Sequence, residues 1–280
     1  MTAEPIQSAS SAGAIGVFDS GVGGLTVLRA LHETMPAEHL LYLGDTARLP
    51  YGTKSAETVV RYALQAAEEL VERGIKALVV ACNTASAAAL SAMRQRFSEI
   101  PVIGVIEPGA QAACAASRNG RIAVLATEGT VRGGAYQRAI HALRPAAQVT
   151  ALPCQLFVAL AEEGWTSGAV AEGAAREYLE PLFAGTGAHA DTVVLGCTHF
   201  PLLAPVIAQV AGPRVQLVDS AATTAAATQQ QLGELGLLRA AQGETQLRFL
   251  ATDGAERFAA VGSRFLGRPV TAEDVELIDL

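Results

Sequence analysis

Nine short apolar runs recur along the chain, separated by longer stretches in which apolar residues return every three or four positions, and this alternation constrains the fold most. The runs are IGVF (15–18), LLYLGD (40–45), ALVVA (77–81), PVIGVI (101–106), RIAVLAT (121–127), QVTALP (148–153), DTVVLG (191–196), VQLVDS (215–220) and QLRFLAT (246–252). Each has the length of a buried strand. Between them, 55–73, 84–98, 130–143 and 169–184 carry the spacing of amphipathic helices. Strand then helix, repeated this often, predicts mostly parallel sheet covered by helices on both faces. With 280 residues against the usual ~150 per domain, two lobes are expected. The fold class is therefore α/β: two similar lobes, each a mostly parallel sheet flanked by helices, with the active site in the cleft between them.

The expected division gives residues 14–105 plus 217–280 to a first lobe and 106–216 to a second, with the strand at 246–252 returning to complete the first sheet. Residues 1–13, polar and rich in Ser and Ala, read as a disordered leader. That leader has neither the basic start nor the apolar stretch of a signal peptide, and no run approaches a membrane span, so a cytoplasmic protein without membrane association is expected. The formal charge of −7 disfavours general nucleic-acid binding, which needs basic excess.

In open parallel sheets, functional groups gather where strands end and helices begin, because backbone N–H groups point outward there. The turns to inspect are DSGVGG (19–24), GDTARLPYG (44–52), CNTAS (82–86), ATEGT (126–130), CTHFP (197–201) and DSA (219–221). Two of them repeat a pattern. ALVVACNTASA (77–87) and TVVLGCTHFPL (192–202) are each a buried strand, one small residue, a cysteine and a Thr-containing polar pair opening a helix. One such turn per lobe, with the lobes face to face, sets Cys82 and Cys197 across a cleft. A helix start favours a thiolate, so both thiols are expected to titrate below the ordinary range. Cys114 and Cys154 read instead as small buried hydrophobes. None of the four cysteines forms a CxxC pair, so neither a disulfide framework nor a zinc site is indicated.

Two thiols flanking one ligand suit proton removal from one face of a carbon stereocentre and proton delivery to the other, each group alternating between acid and base. The carboxylate of Asp19 and the imidazole of His199 stand next to this chemistry in sequence. Their plainer readings are an N-cap aspartate and a loop histidine. DSGVGG reads either as a tight turn or as an anion cradle, though it lacks the GxGxxG spacing.

The motifs IGVFDSGVGGLTVL, YLGDTARLPYG, VVACNTASA, VIGVIEPG, LATEGTVRGGAY and VVLGCTHFPLL, in this order from about Ile15 to Ser220, resemble those of the glutamate racemases within the aspartate/glutamate racemase superfamily. The resemblance implies cofactor-independent interconversion of L- and D-glutamate, supply of D-glutamate for peptidoglycan, and a homodimer. It implies Cys82 as the base for D-glutamate and Cys197 as the base for L-glutamate. It further implies Asp19, His199 and Glu162 as auxiliary acid–base groups. Substrate binding falls to Asp19, Ser20, Tyr51, Gly52, Asn83, Thr84, Thr198 and His199; for the Ser and Thr residues helix capping is the alternative or additional role. The chain departs from the family at Ala159 and Ala161, which leaves Glu163 as a rival to Glu162, and at Phe200, where a tyrosine is common.

Absences point the same way. Only Lys54 and Lys76 are available for a Schiff base, and neither has the setting of one. The five histidines (32, 39, 141, 189, 199) show no HxH or HExxH pairing, so no metal is expected. Three rival readings remain: aspartate racemisation, a two-lobed amino-acid-binding module, and a thiol hydrolase using one Cys–His pair.

Overall fold

The structure, a computed structural model, describes residues 11–183, 189–240 and 245–280. The chain begins with β1 (Ile15–Asp19), α1 (Leu25–Thr34), β2 (Leu40–Gly44), α2 (Ala56–Glu72), β3 (Ala77–Val80), α3 (Asn83–Arg96) and β4 (Val102–Gly104). It continues through α4 (Ile106–Ala116), β5 (Arg121–Ala126), α5 (Glu128–Gly133), α6 (Ala135–Leu143), β6 (Gln148–Pro153), α7 (Gln155–Glu163), α8 (Gly168–Phe183) and β7 (Thr192–Gly196). It ends with α9 (Ala204–Ala211), β8 (Gln216–Asp219), α10 (Ser220–Glu234), β9 (Leu247–Ala251), α11 (Ala255–Leu266) and β10 (Val275–Leu277).

All ladders are parallel, and they form two sheets of order β10-β9-β2-β1-β3-β4 and β6-β5-β7-β8. The α/β class with two parallel sheets is thus as expected. Every residue of β1, β2, β3 and β7 is buried, which is why these strands read as unbroken apolar runs rather than alternating ones.

The two sheets share a local plan. In the first, β1 is followed by β2 on one side, then by β3 and β4 on the other; in the second, β5 is followed by β6 on one side, then by β7 and β8 on the other. The point where strand order reverses opens a crevice beyond the carboxyl ends of the strands. In the first sheet it lies between β1 and β3, in the second between β5 and β7. Cys82 follows β3 and Cys197 follows β7, so the two cysteines occupy equivalent places.

Several expectations are corrected. The helix expected over 130–143 is two helices, because Gly134 adopts φ 63° and breaks the run into α5 and α6. β8 pairs with β7, so the second sheet extends through Asp219 and the chain returns to the first sheet after it, not at Leu217. A tenth strand, β10, adds to β9 at the sheet edge, where two of its three residues are exposed and leave no apolar signature. Of the expected leader, residues 1–10 lie outside the described residues. Ser11 is held by the Lys76 ammonium, which donates to its carbonyl at 2.9 Å.

Far from the cysteines, at the entry to β2 and β3, lies a buried ion pair. Lys76 Nζ meets Glu38 Oε2 at 2.6 Å, with both side chains at most 2 % exposed. The other Glu38 oxygen accepts from the Arg239 backbone N–H at 2.8 Å. Lys76 is therefore a structural cation, bonded to the Glu38 carboxylate and the Ser11 carbonyl.

Candidate active site

The first thiol is set by the start of α3. Cys82 caps this helix, its sulfur accepting from the Ala85 N–H at 3.4 Å and donating to Ser20 Oγ at 3.5 Å. Asp19, at the end of β1, accepts from the Gly21 N–H at 2.9 Å through Oδ1, while Oδ2 is buried without a partner. Burial pushes the Asp19 carboxyl above its ordinary range, against the opposing pull of the His199 charge and the Gly21, Gly24 and Ser20 N–H groups. Burial likewise pushes the Cys82 thiol up to about 12, and the Asp19 charge adds to the effect. The expected lowering of this thiol by the helix start is therefore reversed. One capping N–H and one hydroxyl do not offset the loss of solvation beside a carboxylate.

The second thiol belongs to the turn after β7. Cys197 Sγ lies 3.8 Å from His199 Nδ1, and His199 Nε2 lies 3.2 Å from Glu162 Oε1. Burial works against charging His199, but the Cys197 and Glu162 hydrogen bonds and the Cys197 and Asp19 charges outweigh it, pushing its pKa up to about 10. The bond from His199 in turn holds Glu162 below its ordinary range. Arg257 of α11 reaches Glu162 Oε2 at 3.0 Å, and Arg264 donates to the Glu162 backbone carbonyl. Glu162, not Glu163, faces the cleft: Glu163 lies one residue round the helix and is exposed.

DSGVGG seats one turn against the other. A Cβ at Gly23 would stand 2.4 Å from Thr198 Oγ1 and 2.5 Å from the His199 ring, so only glycine lets the Cys197 turn approach. Thr26 Oγ1 donates to the Thr198 carbonyl at 3.0 Å across the same junction. The motif is a close-packing turn between the sheets.

Ser20, Tyr51, Gly52, Cys82, Asn83, Thr84, Glu162, Cys197, Thr198 and His199 line one partly open cavity, and Asp19, buried, precedes Ser20 in the chain. Tyr51 is held by its phenol, which donates to the buried Asp45 carboxylate; Arg48 Nε at 2.7 Å and Thr252 Oγ1 at 3.0 Å bond the same carboxylate. Thr84 Oγ1 stands 2.9 Å from Thr127 Oγ1 and 3.3 Å from Thr130 Oγ1, which are 3.0 Å from each other, forming a triangle of hydroxyls from both halves of the molecule.

Sequence reasoning missed Gly21, Leu49, Pro50, Thr127, Gln155 and Val158 in the lining. Thr127 sits in ATEGT, one of the turns singled out. Gln155 and Val158 precede Glu162 on α7 by seven and four residues, the spacing of one helix face, so placing Glu162 at the cleft was the signal for both. Phe200 points the other way, fully buried with its ring 5.4 Å from that of Phe157, so it presents nothing to the cavity. Trp165 is 56 % exposed.

Three polar atoms here are buried without partners: Asp19 Oδ2, Gln155 Oε1 and Asn83 Nδ2. Two accept and one donates. A zwitterion, with an ammonium for the acceptors and a carboxylate for the donor, satisfies such a set. Among the described residues no group of three or more His, Cys, Asp or Glu is arranged to hold a metal ion, no helix is long and apolar enough to cross a membrane, and neither lysine lines the cavity.

Fold and site together define a class: a two-sheet α/β protein with one thiol from each sheet lining a shared polar cavity. The chain belongs to the Asp/Glu/Hydantoin racemase family, whose model matches residues 15–228. A glutamate racemase of Geobacter metallireducens is 53 % identical over 254 residues, 91 % of this chain and 93 % of that protein. The crystal structure of a glutamate racemase isoform from Bacillus anthracis superposes with a TM-score of 0.89 at 37 % identity, covering 96 % of this chain and 98 % of that one. A Francisella tularensis glutamate racemase, solved in complex with D-glutamate, gives 0.88 at 36 % identity over 96 % and 98 %. The resemblance to glutamate racemases read from the motifs is borne out.

Proposed function

We propose that this protein is a glutamate racemase that inverts the α-carbon by two-base proton transfer between Cys82 and Cys197, without pyridoxal phosphate or another cofactor. The observation carrying the reading is that these two thiols, from equivalent turns of two sheets, line one cavity. In the L-to-D direction the Cys197 thiolate takes the α-proton, the Cα–H electron pair moves into the carboxylate, and the Cys82 thiol protonates the opposite face. The D-to-L direction exchanges the roles. Burial keeps Cys82 a neutral thiol, and the His199 imidazolium stands beside the Cys197 sulfur.

Asp19 on one side and His199 with Glu162 on the other act as the auxiliary acid–base groups. Ser20, Tyr51, Gly52, Asn83, Thr84 and Thr198 bind the two carboxylates and the ammonium. Donors fixed in place before the reaction stabilise the carbanion in place of an electron sink. We read the lobes as 14–105 with 220–280 and 106–219, the return shifted past Asp219, working as a cytoplasmic homodimer that supplies D-glutamate to peptidoglycan.

Purified protein in deuterium oxide is expected to exchange the α-hydrogen of glutamate and racemise it with no cofactor added. Circular dichroism of glutamate and aspartate in parallel decides between substrates. Faster turnover of aspartate, or a requirement for pyridoxal phosphate, overturns the reading.

A further inference from the structure

We propose that Tyr136 is a positioning residue that locks the Asn83 amide with both of its N–H bonds free for a carboxylate of the ligand; this rests on the glutamate reading above. Tyr136 is the last residue of LATEGTVRGGAY and has no role in the chemistry already described. It lies in the first turn of α6, 1 % exposed, and its phenol donates to Asn83 Oδ1 at 2.8 Å. That bond occupies the acceptor end of the amide. The other end, Nδ2, is buried without a partner in a residue that lines the cavity.

An amide whose oxygen is already bonded presents only donors. The flipped amide would donate to the phenolic oxygen instead, leaving the phenolic proton without its acceptor and turning a carbonyl oxygen toward an anionic ligand, which adds repulsion. Tyr136 therefore decides the polarity of this wall of the cavity.

The ring itself is held in a slot cleared by two glycines. A Cβ at Gly109 of α4 would stand 3.2 Å from the ring, and one at Gly196 would stand 3.0 Å from it. Gly196 immediately precedes Cys197, and Asn83 immediately follows Cys82. One side chain thus touches both thiol-bearing turns and keeps the donor in register with the two sulfurs.

The test is a double-mutant cycle of Tyr136→Phe with Asn83→Ala. Tyr136→Phe, which keeps the ring in its slot, is expected to lower kcat/KM for glutamate about fivefold to tenfold, the range of one lost buried hydrogen bond. In the Asn83→Ala background the same change is expected to cost less than about twofold, because its effect passes through the amide. Equal losses in both backgrounds, or no loss in the first, overturn the proposal.

A second measurement needs no turnover. The chain has two asparagines, Asn83 and Asn119, so 15N-asparagine labelling gives two side-chain NH2 signals, and Asn83→Ala assigns them. Tyr136→Phe is expected to shift and broaden the Asn83 signal in free protein and leave that of Asn119, which donates to the His189 carbonyl, unmoved. An unmoved Asn83 signal overturns the proposal. If the wild-type protein neither binds nor racemises glutamate, the functional reading fails, while this comparison still decides whether Tyr136 holds the amide.

Discussion

Cys197 and His199 share one short turn, with Sγ 3.8 Å from Nδ1, and the far side of the same imidazole meets Glu162 at 3.2 Å. Cys82 has no such partner: its neighbours are a hydroxyl and a carboxylate that disfavours its ionisation. The two thiols are alike in fold position and unlike in electrostatics, and the predictions exploit that difference.

If the two-base proposal holds, Cys82→Ala and Cys197→Ala each remove one of the two bases, and racemisation is expected to fall by about 10³-fold or more in both directions. Enantiomers have equal free energy in water, so any variant lowers kcat/KM equally in both directions. The remaining thiol still exchanges protons with solvent on its own face. In deuterium oxide, Cys82→Ala is expected to exchange L-glutamate with retention, and Cys197→Ala to exchange D-glutamate. Exchange of both enantiomers by either variant contradicts the two-face assignment.

His199 makes stability pH-dependent. Its pKa rises from 6.5 to about 10 on folding, so the native state holds this proton more tightly than the unfolded chain. The stabilisation is complete below about pH 6.5 and is lost as the pH rises toward about 10. Urea midpoints of the wild type are expected to fall across this window, and those of His199→Gln to fall less. Cys82 acts with the same sign only above its ordinary value of 9.0, where an unfolded thiol ionises and the native one does not. Parallel slopes in the two proteins contradict the assignment to His199.

Glu162→Gln keeps a hydrogen-bonding group beside His199 but removes its charge. The alkaline limb of kcat is expected to move to lower pH, by about one unit for each 1.4 kcal/mol of lost interaction. Arg257→Ala, at an arginine side chain 68 % exposed, is expected to move it less and to higher pH, since it removes a cation from Glu162 and such pairs contribute up to about 1 kcal/mol. A pH–rate series on the two variants checks the order, and a larger shift from Arg257→Ala refutes it.

Lys76→Met leaves the buried Glu38 carboxylate without its cation, keeping only the Arg239 N–H, which is expected to cost about 3–5 kcal/mol by urea unfolding. Lys76→Met with Glu38→Leu is expected to recover most of that loss. The pair sits at the opposite ends of β2 and β3 from the cavity, so folded protein of either variant keeps its kcat. A Lys76→Met protein of wild-type stability contradicts the pairing.

The nine apolar runs and the ALVVACNTASA and TVVLGCTHFPL repeat were legible, most plainly at β1 to β5 and β7, because parallel strands buried on both faces are written as continuous apolar residues, and the turns after them as polar ones. β10 was not, because an edge strand with two exposed residues has no such pattern. The direction in which the Cys82 thiol shifts was also hidden, since the helix start is local but burial beside Asp19 is set by the whole sheet. Asn83 and Thr84 were readable from their turn, whereas Tyr136 acts from 53 residues away and only packing brings it to Asn83.

The triangle of Thr84, Thr127 and Thr130 brings three protons to three oxygen–oxygen contacts, so the bonds can circulate clockwise or anticlockwise. Reversing the circuit needs only rotation about C–O bonds, with every heavy atom at rest. In either sense each hydroxyl uses its one proton inside the circuit, so the triangle ties the turn after β3 to the turn after β5 whichever way it runs.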